Sequence, residues 1–256
     1  MKKVSYTLIA CLLSVGLAAC SSNDAKQDQP NDSAKNNETS QADQKEQQKQ
    51  MEEMQKKLDA QKMDDKKIVA TVNKDKITGS EYNSALSTIQ GQLQQTGQDP
   101  TSKDGAKEVK KQTIDALVGQ QLILQDAEKK GFKASDDQVD KQLKEEKKQF
   151  KDNAQFEEAL KQSGLTMDQL KADIADSIKY SQYVDKEIKA SSVSEQDVKA
   201  YYDQYAEQMK KQKQKAPAYK DIKSQIKKQL ESQEKQKEVQ KEIESLKKSA
   251  NIEISI

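Results

Sequence analysis

The sequence predicts a mainly α-helical fold with a small β element (α+β), and three observations carry that reading. Apolar residues recur at helical spacing in one window after another between Tyr82 and Leu246. Polar pairs three residues apart, Thr78 with Glu81, Ser135 with Gln138, Thr166 with Gln169 and Ser194 with Asp197, stand where those windows begin and have the form of helix caps. Strict apolar alternation is confined to IVATV from Ile68 and to NIEISI at the end of the chain, which is the period of a strand.

Composition narrows the function classes. Of 256 residues, 34% are charged, 33% hydrophobic and 4% aromatic, and the formal net charge is +1. An average domain is about 45 to 50% apolar with Gly counted, so part of this chain is expected to remain uncompacted. There is no His, which excludes His-based triads, His-ligated zinc and imidazole acid–base chemistry. All 44 basic residues are Lys, so the planar fork with which Arg grips phosphate or carboxylate is missing. A near-zero charge also argues against nucleic acid as a partner. No metal, cofactor or catalytic constellation is indicated.

Residues 1–19 have the form of a secretory signal, with Lys2 and Lys3 ahead of an apolar run from Leu8 to Ala19 that is too short for a permanent span. Leu17, Ala18, Ala19 and Cys20 resemble the lipobox of bacterial lipoproteins. That resemblance implies cleavage before Cys20 and a diacylglyceryl anchor on it, enough acyl chain for stable membrane attachment. Cys11 would leave with the signal, and no disulfide could form.

Residues 20–66 are expected to be a tether. Between Ser21 and Lys66 there is no Val, Ile, Phe, Tyr or Trp, too little apolar surface to offset the entropy of ordering. From Gln44 to Lys62 the absence of Gly and Pro allows a solvated helix whose Met51, Met54, Leu58 and Met63 form only a thin stripe. Order is expected from residue 67, with a strand or hairpin over Ile68 to Ile77 turning at Asn73 to Asp75.

A helix bearing Tyr82, Leu86, Ile89 and Leu93 follows, then a loop through TGQDPTSKDG. The stretch from Ala106 to Lys130, with Ile114, Leu117, Val118, Leu122, Ile123 and Leu124, reads as the central and most buried helix. Gly131 with Phe132, and later Gly164 with Leu165, read as helix stops in which Gly takes the left-handed conformation and the next residue folds back. Between them lie a helix with Val139 and Leu143, then a short one capped at Asp152 or Asn153 with Phe156 and Leu160. A long helix from Thr166 carries Met167, Leu170, Ile174, Ile178, Val184 and Ile188, with Tyr180 and Tyr183 beside them. The next carries Val198, Tyr201, Tyr202, Tyr205 and Met209. Pro217 suits the first turn of a last helix whose middle, Glu231 to Glu238, offers no apolar residue and is expected in solvent.

In order, IVATVNKDKITGSEYN, TIDALVGQQLILQDAEKKG, SDDQVDKQLKEE, LTMDQLKADI and VSEQDVKAYYDQY resemble the N-terminal domain of SurA-type periplasmic chaperones and PrsA-type foldase lipoproteins. The stretch from Ala218 to Ile254 resembles the helix and strand that return to that domain in the same family, so that residues 217–256 close a chaperone domain spanning 67–256. The resemblance implies a helical cradle in which the strand near Ile68 to Val72 pairs with Ile252 to Ile256. Family members with a parvulin-type prolyl isomerase carry it between these last two helices, where this chain has only residues 206–216, and such sites usually rely on His. The implied function is therefore a non-enzymatic chaperone for unfolded or nascent secreted polypeptides.

A holdase needs open apolar surface lined by adaptable side chains. Tyr82, Tyr180, Tyr183, Tyr201, Tyr202, Tyr205 and Met209 are the candidates for contact with such clients, each with an ordinary core or rim position as its alternative. A lipoprotein that binds one dedicated partner, and a degenerate isomerase, are the rival readings, and a homodimer stays open. Lys and Gln richness without Arg associates with low-GC Gram-positive bacteria, which would place the protein on the outer face of the cytoplasmic membrane.

Overall fold

A computed structural model describes residues 35–256, with side chains at 46 and from 48 onward. The signal segment and Cys20 lie outside the described residues. The chain divides into two units, Met1–Gln50 and Met51–Ile256. Helix α1 (Lys35–Asp59) runs across that division, beginning well before the helix expected from Gln44. Its residues from Met51 to Lys57 are exposed, and Leu58 is the first to be half-buried.

The second unit is built on a three-stranded antiparallel sheet of order β2-β1-β3. Strand β1 (Ile68–Val72) turns through Asn73 and Lys74 into β2 (Asp75–Thr78), with Asn73 at φ 59°. The register shifts between Ile68 and Ala70, which lets Val69 and Ala70 both face the interior. Strand β3 (Ile252–Ile254) pairs with the other edge of β1, placing Val72 opposite Ile252 and Ala70 opposite Ile254. Asn73 fastens this junction: its amide donates to the Asn251 carbonyl at 2.7 Å, and its side-chain oxygen accepts from the Asn251 amide at 3.0 Å. The expected pairing of the two ends is present.

Packing starts upstream of residue 67. The Asn83 side chain bonds both the amide and the carbonyl of Met63, at 2.8 Å each, and Met63 packs against the main core. Gly79 and Ser80 donate to the Lys67 and Asp65 carbonyls, so the residues before β1 are part of the folded unit.

Helix α2 (Gly79–Gln95) begins with the capping box of Thr78 and Glu81 and buries Tyr82, Leu86 and Leu93. Helix α3 (Lys103–Lys129) starts three residues before the expected Ala106, because the Ser102 hydroxyl caps it by accepting from the Gly105 amide at 3.0 Å. It is the central helix and packs on α2, on β1 and on two later helices. Gly131 and Gly164 have φ of 82° and 69°, and Phe132 and Leu165 donate back into the helices they end.

Helices α4 (Asp136–Lys147) and α5 (Asn153–Gln162) follow, capped by Ser135 and Asp152. Helix α6 (Met167–Glu187) is shared between two apolar centres. Its first half, Met167 to Ile178, closes a minor core with Val139, Leu143, Phe150 and Phe156. Tyr180, Tyr183 and Val184 instead join the main core around β1, α2 and α3.

Helix α7 (Glu195–Lys211) packs chiefly on α8 (Tyr219–Lys247), forming a hairpin arm. Val198 and Ile226 are buried there and belong to neither core. Pro217 stands outside α8, one residue before its N-cap Ala218, rather than in the first turn. The C-terminal part of α8 returns to α3, where a Cβ on Gly119 would stand 3.0 Å from Ile243 Cδ1. Only a glycine admits that approach without displacing Ile243. The middle of α8 is largely exposed, though Glu234, Lys235 and Glu238 are half-buried and Lys235 lies 3.6 Å from Asp185.

Candidate functional site

A cleft of about 490 Å³ opens between β2, α2, α3 and α6. Ile77, Leu117, Leu124 and Leu165 supply apolar wall, and Gln120 offers an amide that can donate and accept, while Gln121 donates to Asp75 Oδ2 at 3.0 Å and Gln169 accepts from the Thr166 amide at 2.8 Å. The α3 contribution comes from one stripe, because Leu117, Gln120, Gln121 and Leu124 fall at i, i+3, i+4 and i+7. Asp173 also lines the cleft; withdrawal from water, then repulsion by Asp176 and Glu81, raises its carboxyl above the usual range, although much of the residue reaches solvent. Mixed walls of this kind fit an extended polypeptide, whose side chains vary while its backbone always needs hydrogen-bond partners. Of the lining hydroxyls, that of Thr78 donates to Glu81 Oε2 at 2.6 Å within the capping box of α2, and no cluster of metal-ligating side chains occurs among the described residues.

The candidates taken from the sequence lie elsewhere, and they separate into two groups. Tyr82 and Tyr183 are 1% and 0% exposed and are core residues, so neither ring is presented to a guest in this conformation. Helical periodicity marks an apolar face, and for these two that face is turned to the sheet and α3. Tyr180 is half-buried against the same core, and burial raises its hydroxyl pKa.

Tyr183 instead ties α3, α6 and α8 together. Its hydroxyl donates to Asp126 Oδ2 at 2.7 Å and lies 3.3 Å from Glu242 Oε1. Lys130 is 3.1 Å from both Asp126 and Glu187 and stands 5.0 Å from the Tyr183 ring centroid. Burial and the Asp126 carboxylate push the Tyr183 hydroxyl pKa up. For Lys130, desolvation is outweighed by Glu187 and Asp126, and its ammonium is held above the usual range. Burial opposes the Asp126 charge, but Tyr183 and Lys130 prevail and keep that carboxyl below its ordinary pKa.

Tyr201, Tyr202, Tyr205 and Met209 are brought together on α7, all half-buried. Tyr201 accepts from Gln229 Nε2 at 2.8 Å, and Tyr202 donates to the Pro217 carbonyl at 2.8 Å while stacking edge-on with Tyr219 at 5.2 Å. The four therefore form a partly covered face of three tyrosines and a methionine, in which the hydroxyls of Tyr201 and Tyr202 are held by hydrogen bonds. The cleft residues escaped sequence reasoning because Gln120, Gln121 and Asp173 stand outside the apolar pattern and Gln169 reads only as the cap partner of Thr166. The signal was the pair of amides lying between Leu117 and Leu124 on one stripe.

Comparison with known proteins agrees with this architecture. Foldase protein PrsA of Clostridium perfringens is 31% identical over 153 residues, covering 56% of this chain and 44% of that protein. Foldase protein PrsA of Caldanaerobacter subterraneus subsp. tengcongensis is 28% identical over 148 residues, 55% of this chain and 43% of that protein. Foldase protein PrsA 2 of Bacillus anthracis is 42% identical over 82 residues, 32% of this chain and 27% of that protein. The chain thus spans less than half the length of these curated relatives. The family model for the SurA-like N-terminal domain matches residues 51–184. With more than half of its residues matched, and with a mostly helical fold closed by a three-stranded sheet, this chain belongs to the SurA-like N-terminal domain family.

Proposed function

We propose that this protein is an extracytoplasmic holdase, anchored through lipid on Cys20, that shelters unfolded secreted polypeptides without isomerase chemistry. The observation that carries the reading is the division of its apolar residues into three centres that do not merge: the main core, the minor core and the α7–α8 arm. This division leaves the α2–α3–α6 cleft and the aromatic face of α7 accessible, and both suit guests recognised by apolar contact and backbone hydrogen bonds. The relatives named as foldases support the same direction. The connection between α7 and α8 is short, residues 212–218, which supports a guest-holding role without an inserted catalytic module.

Suppression of aggregation of a heat-denatured test protein is the measurement. The purified chain is expected to suppress it at near-stoichiometric ratios. A triple variant, Tyr201→Gln, Tyr205→Gln and Met209→Gln, is expected to lose at least half of that effect with the thermal unfolding of the body unchanged. Saturable acceleration of a proline-limited refolding reaction would overturn the non-enzymatic part. Capture of one native partner in place of many unfolded guests would favour a dedicated assembly role. Equal palmitate labelling of wild type and Cys20→Ser would remove the lipid anchor.

A further inference from the structure

The near balance of charge along the whole chain conceals a local excess. From Gln208 to Lys220 the sequence carries Lys210, Lys211, Lys213, Lys215 and Lys220 and no Asp or Glu. These residues form the last turn of α7, the connection and the start of α8, and all five lysines are exposed. Lysines nearby are neutralised, Lys199 by Asp203 and Lys223 by Glu195. Those at the tip have no ion-pair partner among the described residues, and Glu207 and Asp221 only flank the run.

We propose that the tip of the α7–α8 hairpin is a cationic docking surface for an anionic phospholipid bilayer. The favourable placement of cations at a helix C-terminus accounts for Lys210 and Lys211. It does not account for Lys213 and Lys215, which lie beyond the helix. Their backbone is held in place: Lys213 has φ 58°, its amide donates to the Lys210 carbonyl at 3.0 Å, and the Gln214 amide donates to the Met209 carbonyl at 2.9 Å. The backbone that carries Lys213 is thus set beside the end of α7, and the exposed side chains gather their charges at one tip.

The chemistry of that group selects its partner. Lysine ammoniums are hydrated point charges without the fork that grips a single phosphate or carboxylate. Several of them on a protruding turn match a dense, unpatterned sheet of negative headgroups, where each adds on the order of 1 kcal/mol of attraction. Tyr205, Met209 and Tyr219, half-buried on the same hairpin, supply amphipathic surface suited to the headgroup level. An acyl anchor at Cys20 would hold the domain near the leaflet, so that a weak contact operates at high effective concentration.

The test is co-sedimentation of the full chain carrying Cys20→Ser with vesicles of phosphatidylglycerol and phosphatidylcholine, against phosphatidylcholine alone. The readout is the excess on the anionic vesicles, since the apolar residues 8–19 partition into both. That excess is expected at low salt, to vanish at high salt, and to fall roughly a hundredfold or more when Lys210, Lys211, Lys213 and Lys215 are all changed to Gln. Circular dichroism should show the quadruple variant folded. No excess at low salt, or an excess untouched by the four substitutions, overturns the proposal. Equal binding to an acidic soluble polypeptide, competing fully with the vesicles, overturns it in favour of anionic guests.

Discussion

The body and the arm are made of the same elements and differ in what those elements enclose. In the body, Val69, Val72, Leu86, Ile123 and Tyr183 are at or near zero exposure, drawn from strand β1 and from helices α2, α3 and α6. In the arm, Val198 and Ile226 are the buried apolar side chains, and the aromatic residues around them are half-open. Burying an aliphatic side chain fully contributes about 1.5 to 3 kcal/mol. The body accumulates many such contributions and the arm few. Stability is concentrated in one region and accessible apolar surface in the other.

Substitutions of graded effect sharpen that contrast. Ile123→Ala is expected to cost about 3 kcal/mol through a cavity at the centre of α3, lowering the melting temperature by roughly 10 °C. Val198→Ala should cost about 1.5 kcal/mol, with hydrogen exchange accelerated in α7 and the start of α8 while amides of β1 and α3 stay protected. If Val198→Ala loosened β1 and α3 equally, body and arm would be one cooperative unit.

Next in size is Tyr183→Phe, expected to cost about 1 to 2 kcal/mol at neutral pH because Asp126 loses its hydroxyl donor. Its pH dependence has a definite sign. The Tyr183 and Lys130 groups have raised pKa values in the folded chain, so their contribution is complete below about pH 10 and is lost as pH rises beyond it. Asp126 is depressed, so its contribution is present above about pH 4 and is lost on acidification. Urea midpoints between pH 8 and pH 11 should fall less steeply for Tyr183→Phe than for wild type.

The smallest effect belongs to the arm. Lys213→Gly removes the strain of a side chain in the left-handed region, φ 58°, and is expected to stabilise the arm by about 0.5 to 1 kcal/mol. Slower exchange at the end of α7 would show it.

Local chemistry made much of this fold legible. The caps at Thr78, Ser135, Thr166 and Ser194, and the stops at Gly131 and Gly164, depend on residues three to five apart, and each stands where the sequence places it. The pairing of β1 with β3 was legible only through family resemblance, because residues so far apart leave no local trace of contact. Other features depend on what each element meets. Periodicity gave α6 one continuous apolar face, yet the start of that face serves the minor core and its end the main one. The same limit hid Tyr82 and Tyr183 inside the body. Gly105 read as a loop residue, whereas its amide is the donor that Ser102 caps. The cleft was invisible because its amides acquire meaning only when α2 and α6 come to flank α3.

The sheet order makes the domain depend on two segments that lie far apart along the chain. Strand β1 is the middle strand, and one of its neighbours is Ile252–Ile254, which the chain reaches only after α8. Without the segment from Ile243 to Ile254, one edge of β1 would be unpaired and Gly119 of α3 would face no neighbour from α8. A chain cut before Ile252 would be left with an open strand edge, the kind of surface on which other chains pair.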